Sequence, residues 1–223
     1  IAVIPVVLFH MGAKWVPGGF LGVDVFFVIS GYLITSIILK DYDGGAFNFT
    51  HFWLRRIRRI LPALLVMLLT TSIAGYFIFY GQDIHDLGRQ GVSALLSFAN
   101  IYLWRLAGNY WGQQAENSVF LHTWSLSVEE QFYLFFPFLL IVLLKFYKKQ
   151  LASSIATLVI ISFLLFLYGS HGFPNATFYL LPTRAWELGS GCLLAIVTHK
   201  YTLRTENNVF LSSIGLLIII LSY

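Results

Sequence analysis

Residues 61–80 (LPALLVMLLTTSIAGYFIFY) run without a single charge. A helix of about 20 apolar residues matches the hydrocarbon thickness of a bilayer. No water satisfies the backbone there, so the stretch must bond its own N–H and C=O groups, and a helix does that. Residues 1–11, 21–39, 126–146, 151–168, 184–198 and 208–223 carry similar runs, with little of the period-2 alternation of strands. The expected fold is all-α, a polytopic transmembrane bundle of about seven spans. Both ends lie inside apolar runs, and no charged n-region precedes IAVIPVVLF, so no signal peptide is read there. Residues 1–223 are expected to form one incomplete membrane domain, its outermost helices truncated.

Composition agrees with lipid as the solvent. Hydrophobic residues make up 58% of the chain and charged ones 11%, against about 25% charged in soluble domains. One cysteine, Cys192, excludes an intrachain disulfide. Without a second sulfur or a histidine cluster, no metal site is expected. The basic residues stand beside apolar runs, which suits membrane topology and argues against a nucleic-acid partner.

Topology follows from the positive-inside rule. Lys40 and Arg55 to Arg59, then Lys145, Lys148 and Lys149, then Lys200 and Arg204, mark cytoplasmic segments. Residues 61–80 leave the cytoplasm and 126–146 return to it. A further crossing within 87–111 would put the three lysines outside. That stretch, which also holds Arg89, Asn100 and Arg105, is therefore expected to be re-entrant or to lie at the outer surface. The map places 12–20, 81–125 and 169–183 outside, and 40–59, 147–150 and 199–207 inside. Labelling of a cysteine at position 148 from the outside alone would refute it.

Several polar groups stand in or beside these runs. His10 lies about 15 Å along a helix axis from Ile1. An ionisable side chain at that depth is costly and points to function, and imidazole exchanges protons near neutral pH. Its bland alternative is a histidine near a helix end, bonded to a neighbouring carbonyl. Asp24 follows a glycine-rich turn at the start of a span. His10 or an arginine could pair with it, or it could simply cap the helix. Ser30 and Gly31 are small enough to serve helix packing.

Arg55, Arg56, Arg58 and Arg59 form the densest charge in the chain. They anchor topology. On a helix, Arg56 and Arg59 share a face, as do Arg55 and Arg59, and paired guanidinium forks match phosphate oxygens. Coenzyme A suits such a site, with lipid phosphate as the rival ligand.

Residues 122–133 (HTWSLSVEEQFY) open a helix from the outer side. Ser127 and Glu130 stand at capping-box spacing, which leaves Glu129 as the carboxylate without a local task. Trp124 and Tyr133 read as interface anchors or sugar-stacking rings. Arg184 and Glu187, three residues apart in LLPTRAWELGSG, are expected to pair with each other, or to bind sugar hydroxyls at the outer mouth. No phosphate loop, zinc spacing or G-x-S-x-G elbow is present.

Four blocks in order, FHMGAKWVPGGFLGVDVFFVISGYLIT, FWLRRIRRILPALL, LHTWSLSVEEQFYLFFP and LLPTRAWELGSG, span residues 9–191. Together they resemble the acyltransferase-3 family of membrane proteins. Their wording is similar to the branch often followed by an SGNH hydrolase-like domain, which includes O-antigen and peptidoglycan O-acetyltransferases. The resemblance implies transfer of an acyl group, usually acetyl, from cytoplasmic acyl-CoA to a hydroxyl of a glycan facing the cell exterior. It implies a multi-pass protein of the bacterial cytoplasmic membrane, with acetyl-CoA as donor and no metal. The family's catalytic histidine corresponds to His10, and its R-x-x-R motif, associated with the donor, to Arg56 and Arg59. The family's arginine eleven positions before the histidine falls before Ile1.

The mechanism then expected has Arg55, Arg56 and Arg59 holding the donor's phosphates. His10 would act as general base or acyl carrier, with Asp24 or Glu129 orienting the imidazole or the sugar. Trp124, Arg184 and Glu187 would contact the acceptor. The rival class is a membrane carrier or flippase with intramembrane His, Asp and Glu along its path. Such proteins often show inverted repeats, and none is visible here. A non-catalytic membrane sensor is a second rival.

Overall fold

Every regular element among the described residues is helical. The structure is a computed structural model and describes residues 2–108, 118–200 and 205–222. The helices are α1 (Val3–His10), α2 (Gly22–Asp43), α3 (Phe49–Ile78), α4 (Gln82–Leu95), α5 (Ala99–Ala107), α6 (Thr123–Phe146), α7 (Leu151–Gly172), α8 (Pro174–Tyr179), α9 (Leu181–Lys200) and α10 (Thr205–Ser222). Residues 109–111 of the stretch expected not to cross lie outside the described residues, as do Ile1, Arg204 and Tyr223.

Four segments among the described residues are long and apolar enough to span a bilayer: Gly19–Asp43, Phe49–Ile78, Thr123–Phe146 and Lys148–Gly172. They contain α2, α3, α6 and α7. The other expected spans fall short of that measure. Helix α1 has 8 residues, α9 carries Arg184 and Glu187, and the apolar part of α10 is Ser212–Ser222. Along α3, Val66, Leu69, Ile73 and Phe77 are each at least 60% exposed. Such a surface is compatible with lipid and not with water.

Helix α9 is the centre of the bundle and packs against α2 on one side and α7 on the other. The α2–α9 contact is a backbone approach. A Cβ at Gly31 would collide with the carbonyl oxygen of Leu188, and one at Gly191 with the carbonyl oxygen of Val28. Small residues permit this closeness, which is how helices associate where no hydrophobic effect drives them. Phe27, Ile34, Ile38, Val128, Leu140 and Leu188 fill the main core between α2, α6 and α9.

Two prolines leave their mark on packing. Pro137 lies inside α6, so the carbonyl of Tyr133 lacks its amide partner four residues on. The indole Nε1 of Trp53 on α3 donates to that oxygen at 3.1 Å. Pro182 begins α9, and there Ser162 of α7 inserts its hydroxyl into the first turn. Its Oγ donates to Pro182 O at 2.7 Å and accepts from Trp186 N at 2.9 Å.

The stretch expected not to cross consists of α4 and α5. They measure about 21 and 14 Å at 1.5 Å per residue, short of the ~30 Å hydrocarbon core. Ser97 turns the chain between them with a left-handed φ of 61°. Helix α6 holds this elbow. Ser97 Oγ donates to Glu130, Gln131 Nε2 donates to Ser97 O at 2.8 Å, and Ala99 N donates to Ser127 Oγ at 3.2 Å. The expected Ser127–Glu130 capping box is therefore not formed. Helix α6 starts earlier, at Thr123, so both residues lie inside it and serve the elbow instead.

Candidate active site

Helix α1 stops at His10 because the chain turns at Met11 and Gly12, the latter at φ 80°. His10 is thus the last helical residue, and its side chain is exposed rather than enclosed in an apolar helix as its flanking sequence suggests. Its Nδ1 lies 2.8 Å from the carbonyl oxygen of Val6. A carbonyl can only accept, so Nδ1 carries a hydrogen, and in the neutral ring Nε2 holds the lone pair. This is the local bond expected of a helix-end histidine, and it also fixes which nitrogen is basic. The imidazole of His122, just before α6, stands 5.4 Å away between ring centroids. Partial burial, and then the neighbouring His10, hold His122 below the ordinary histidine range, so it is uncharged at neutral pH.

Asp24 does not pair with His10. In the first turn of α2, it accepts a hydrogen bond from Arg184 Nη2 across 160 positions of sequence. Arg184 Nη1 also lies 3.0 Å from Glu187 Oε1, the i, i+3 pair expected. The guanidinium is boxed by the rings of Phe27, Trp124 and Phe178 at 5.6 to 5.9 Å. Trp124 is itself buried against Phe178 and Tyr179. It walls Arg184, and a sugar would have to displace Phe178 to stack on it. Glu187 is 1% exposed, and neither carboxylate oxygen receives a well-directed hydrogen bond. Arg184 therefore bridges two carboxyl groups at once. Arg184→Met is expected to destabilise the fold by about 3–5 kcal/mol, because it strands both carboxylates. Arg184→Lys keeps the charge but loses the fork, and should recover part of that. Thermal melting in detergent checks both, and equal midpoints for Met and Lys would contradict the reading.

A second buried carboxylate lies on α6. Glu129 is 3% exposed, and its Oε1 accepts from Ser30 Oγ of α2 and from the Tyr133 hydroxyl one turn along. Next to this group, Arg56 sits over the rings of Tyr133 at 5.5 Å and Phe52 at 5.8 Å. The basic segment thus lies in the opening turns of α3. Its members differ. Arg55 is committed to Asp41 on α2 at 2.8 Å, Arg56 is half-buried against α6, and Arg59 is exposed. Of the three named for the donor's phosphates, Arg55 alone has an ion pair with a carboxylate, so it is better read as a tie between α3 and α2.

Sequence reasoning missed the role of Ser30, which it read as a packing residue, and the presence of His122 beside His10. The Glu129–Tyr133 spacing of four is a readable signal. The other two contacts join residues about a hundred positions apart and leave no local trace.

Comparison with known proteins places the arrangement in context. The family model described as an acyltransferase domain, of the acyltransferase-3 type, matches residues 1–223. A peptidoglycan O-acetyltransferase of Listeria monocytogenes is 36% identical over 202 residues, 88% of this chain and 32% of the relative. A Bacillus subtilis protein provisionally named a peptidoglycan O-acetyltransferase is 38% identical over 201 residues, with the same coverage. A Staphylococcus aureus (strain COL) protein provisionally named an O-acetyltransferase is 35% identical over 214 residues, 92% of this chain and 35% of the relative. The chain spans about a third of the length of these relatives. No solved structure matches it. The helical bundle with its four apolar spans agrees with this match along the whole sequence, and the chain belongs to the acyltransferase-3 family.

Proposed function

We propose that this protein moves an acetyl group from cytoplasmic acetyl-CoA across the bacterial cytoplasmic membrane to a hydroxyl of a cell-envelope glycan. Peptidoglycan is the first acceptor to test, because two of the relatives carry it in their names. A lipid-linked or other surface polysaccharide has the same hydroxyl chemistry. The observation that carries the reading is the Nδ1 contact of His10 with Val6 O. It leaves Nε2 as a lone-pair nitrogen on an exposed imidazole, the form needed by a general base or an acyl carrier.

The remaining residues take their places around it. Arg56 and Arg59 bind the donor's phosphates from the inner side, where paired guanidinium forks fit phosphate oxygens. Glu129, held by Ser30 and Tyr133, lies between that cluster and the outer side, and orients the donor's arm or the imidazole. Asp24 acts through Arg184, and Arg184 with Glu187 shapes the acceptor's mouth.

Sealed vesicles carrying the full-length protein test the direction of transfer. Acetyl-CoA on the face bearing the lysines and arginines should acetylate glycan on the opposite face. Acetylation only when donor and glycan share a side would refute it. Arg59→Ala should raise KM for acetyl-CoA roughly 10- to 100-fold with kcat little changed, as expected for a lost charge-assisted contact of about 1.5–3 kcal/mol. An unchanged KM would place the donor site elsewhere.

A further inference from the structure

The hydrogen bond that selects Nε2 of His10 has a consequence for the second half of the reaction, if the proposed acetyl transfer is right. Suppose Nε2 attacks the thioester. The C–N bond forms and the C–S bond breaks. The thiolate leaves with the electron pair and takes a proton from water. His10 is then an acetyl-imidazolium, with the acetyl group on Nε2 and hydrogen on Nδ1, still directed at Val6 O. Neither nitrogen has a lone pair. When the acceptor hydroxyl attacks, His10 cannot take its proton, and another base must stand within reach.

We propose that His122 is that base: it accepts the acceptor hydroxyl's proton while His10 carries the acetyl group. The two rings are 5.4 Å apart between centroids and tilted by 53°. His122 precedes α6, on the same expected outer side as the glycan, and it is partly open to solvent. Asp24, Glu129 and Glu187 are engaged elsewhere, with Arg184, with Ser30 and Tyr133, and with Arg184 respectively. The step balances. The acceptor's O–H bond breaks and its proton goes to His122. The new C–O bond forms, the C–N bond breaks and the electron pair returns to Nε2. His122 then gives the proton to water, replacing the one taken by the thiolate. The depressed proton affinity of His122 keeps it neutral and able to accept.

The test separates the two half-reactions in the purified full-length protein. It uses radiolabelled acetyl-CoA and a soluble peptidoglycan oligosaccharide. His122→Gln should retain a burst of free coenzyme A equal to the enzyme present. Its turnover to acetylated glycan should fall about 100-fold, the lower end of what a positioned base contributes. Added imidazole should restore part of that turnover, which no purely structural role would allow. Wild-type turnover in His122→Gln overturns the proposal. So does loss of burst and turnover together without rescue by imidazole. His10→Ala keeps the underlying reading separate: it should lose the burst itself, and a surviving burst there would sink the acetyl-His10 step whatever His122 does.

Discussion

His10→Ala is expected to lower glycan acetylation by at least 100-fold, while the amount of membrane-inserted protein stays near that of the unmodified chain. Removing a positioned base or nucleophile typically costs about 10²–10⁴ in rate. Structural damage should be slight, because the side chain is exposed and its hydrogen bond to Val6 O stays within one short helix. Glycan O-acetyl content, measured by release of acetate with mild base, gives the activity. Immunodetection in washed membranes gives the protein. Unreduced acetylation with normal protein would remove His10 from the reaction. Loss of the protein itself would make the residue structural. The contrast with Arg184 is useful: there the side chain is enclosed by charge and aromatic rings, and stability should fall first.

Gly191→Val is expected to destabilise the fold by about 3 kcal/mol or more, the top of the usual overpacking range. The cause is steric. Gly191 faces the Val28 carbonyl and the Tyr32 amide, and Gly31 in turn faces Leu188, so α2 and α9 touch backbone to backbone at two points. A side chain at either position must push the helices apart. That would also separate Asp24 on α2 from Arg184 on α9. Detergent thermal melting and yield in membranes measure the effect. Gly88→Ala is the control, since nothing lies within 4 Å of the Cβ it would add. If the two variants melt alike, the close approach is not what holds the bundle together.

The elements of the fold were largely legible in the sequence, and for one reason. An uncharged run such as 61–80 has no way to exist in lipid except as a helix. Local pairs were legible too: Arg184 and Glu187 meet at the spacing expected of neighbours on a helix face. Longer contacts were not. Asp24 could have paired with His10 or with an arginine, and only the α2–α9 packing selects Arg184. Arg55 looked equivalent to Arg56 and Arg59 until the end of α2 brought Asp41 to it. The Ser127–Glu130 spacing misled because the same pattern occurs inside a helix that begins one turn earlier. His10 seemed deep because its flanks are apolar, yet Gly12 ends the helix beside it. The spacing of one segment cannot report a partner a hundred residues away, and most of the candidate site is built from such partners.

The bond from Trp53 to the Tyr133 carbonyl gives Pro137 a meaning beyond helix bending. A helix in lipid is normally self-sufficient along its backbone and offers its neighbours only side chains. By withholding one amide, Pro137 leaves α6 with a debt that only α3 settles. Restoring the amide with Pro137→Ala would make α6 independent, and α3 would lose a fixed point one turn before Arg56. The seating of Arg56 against the bundle is in that sense written as an omission in a different helix.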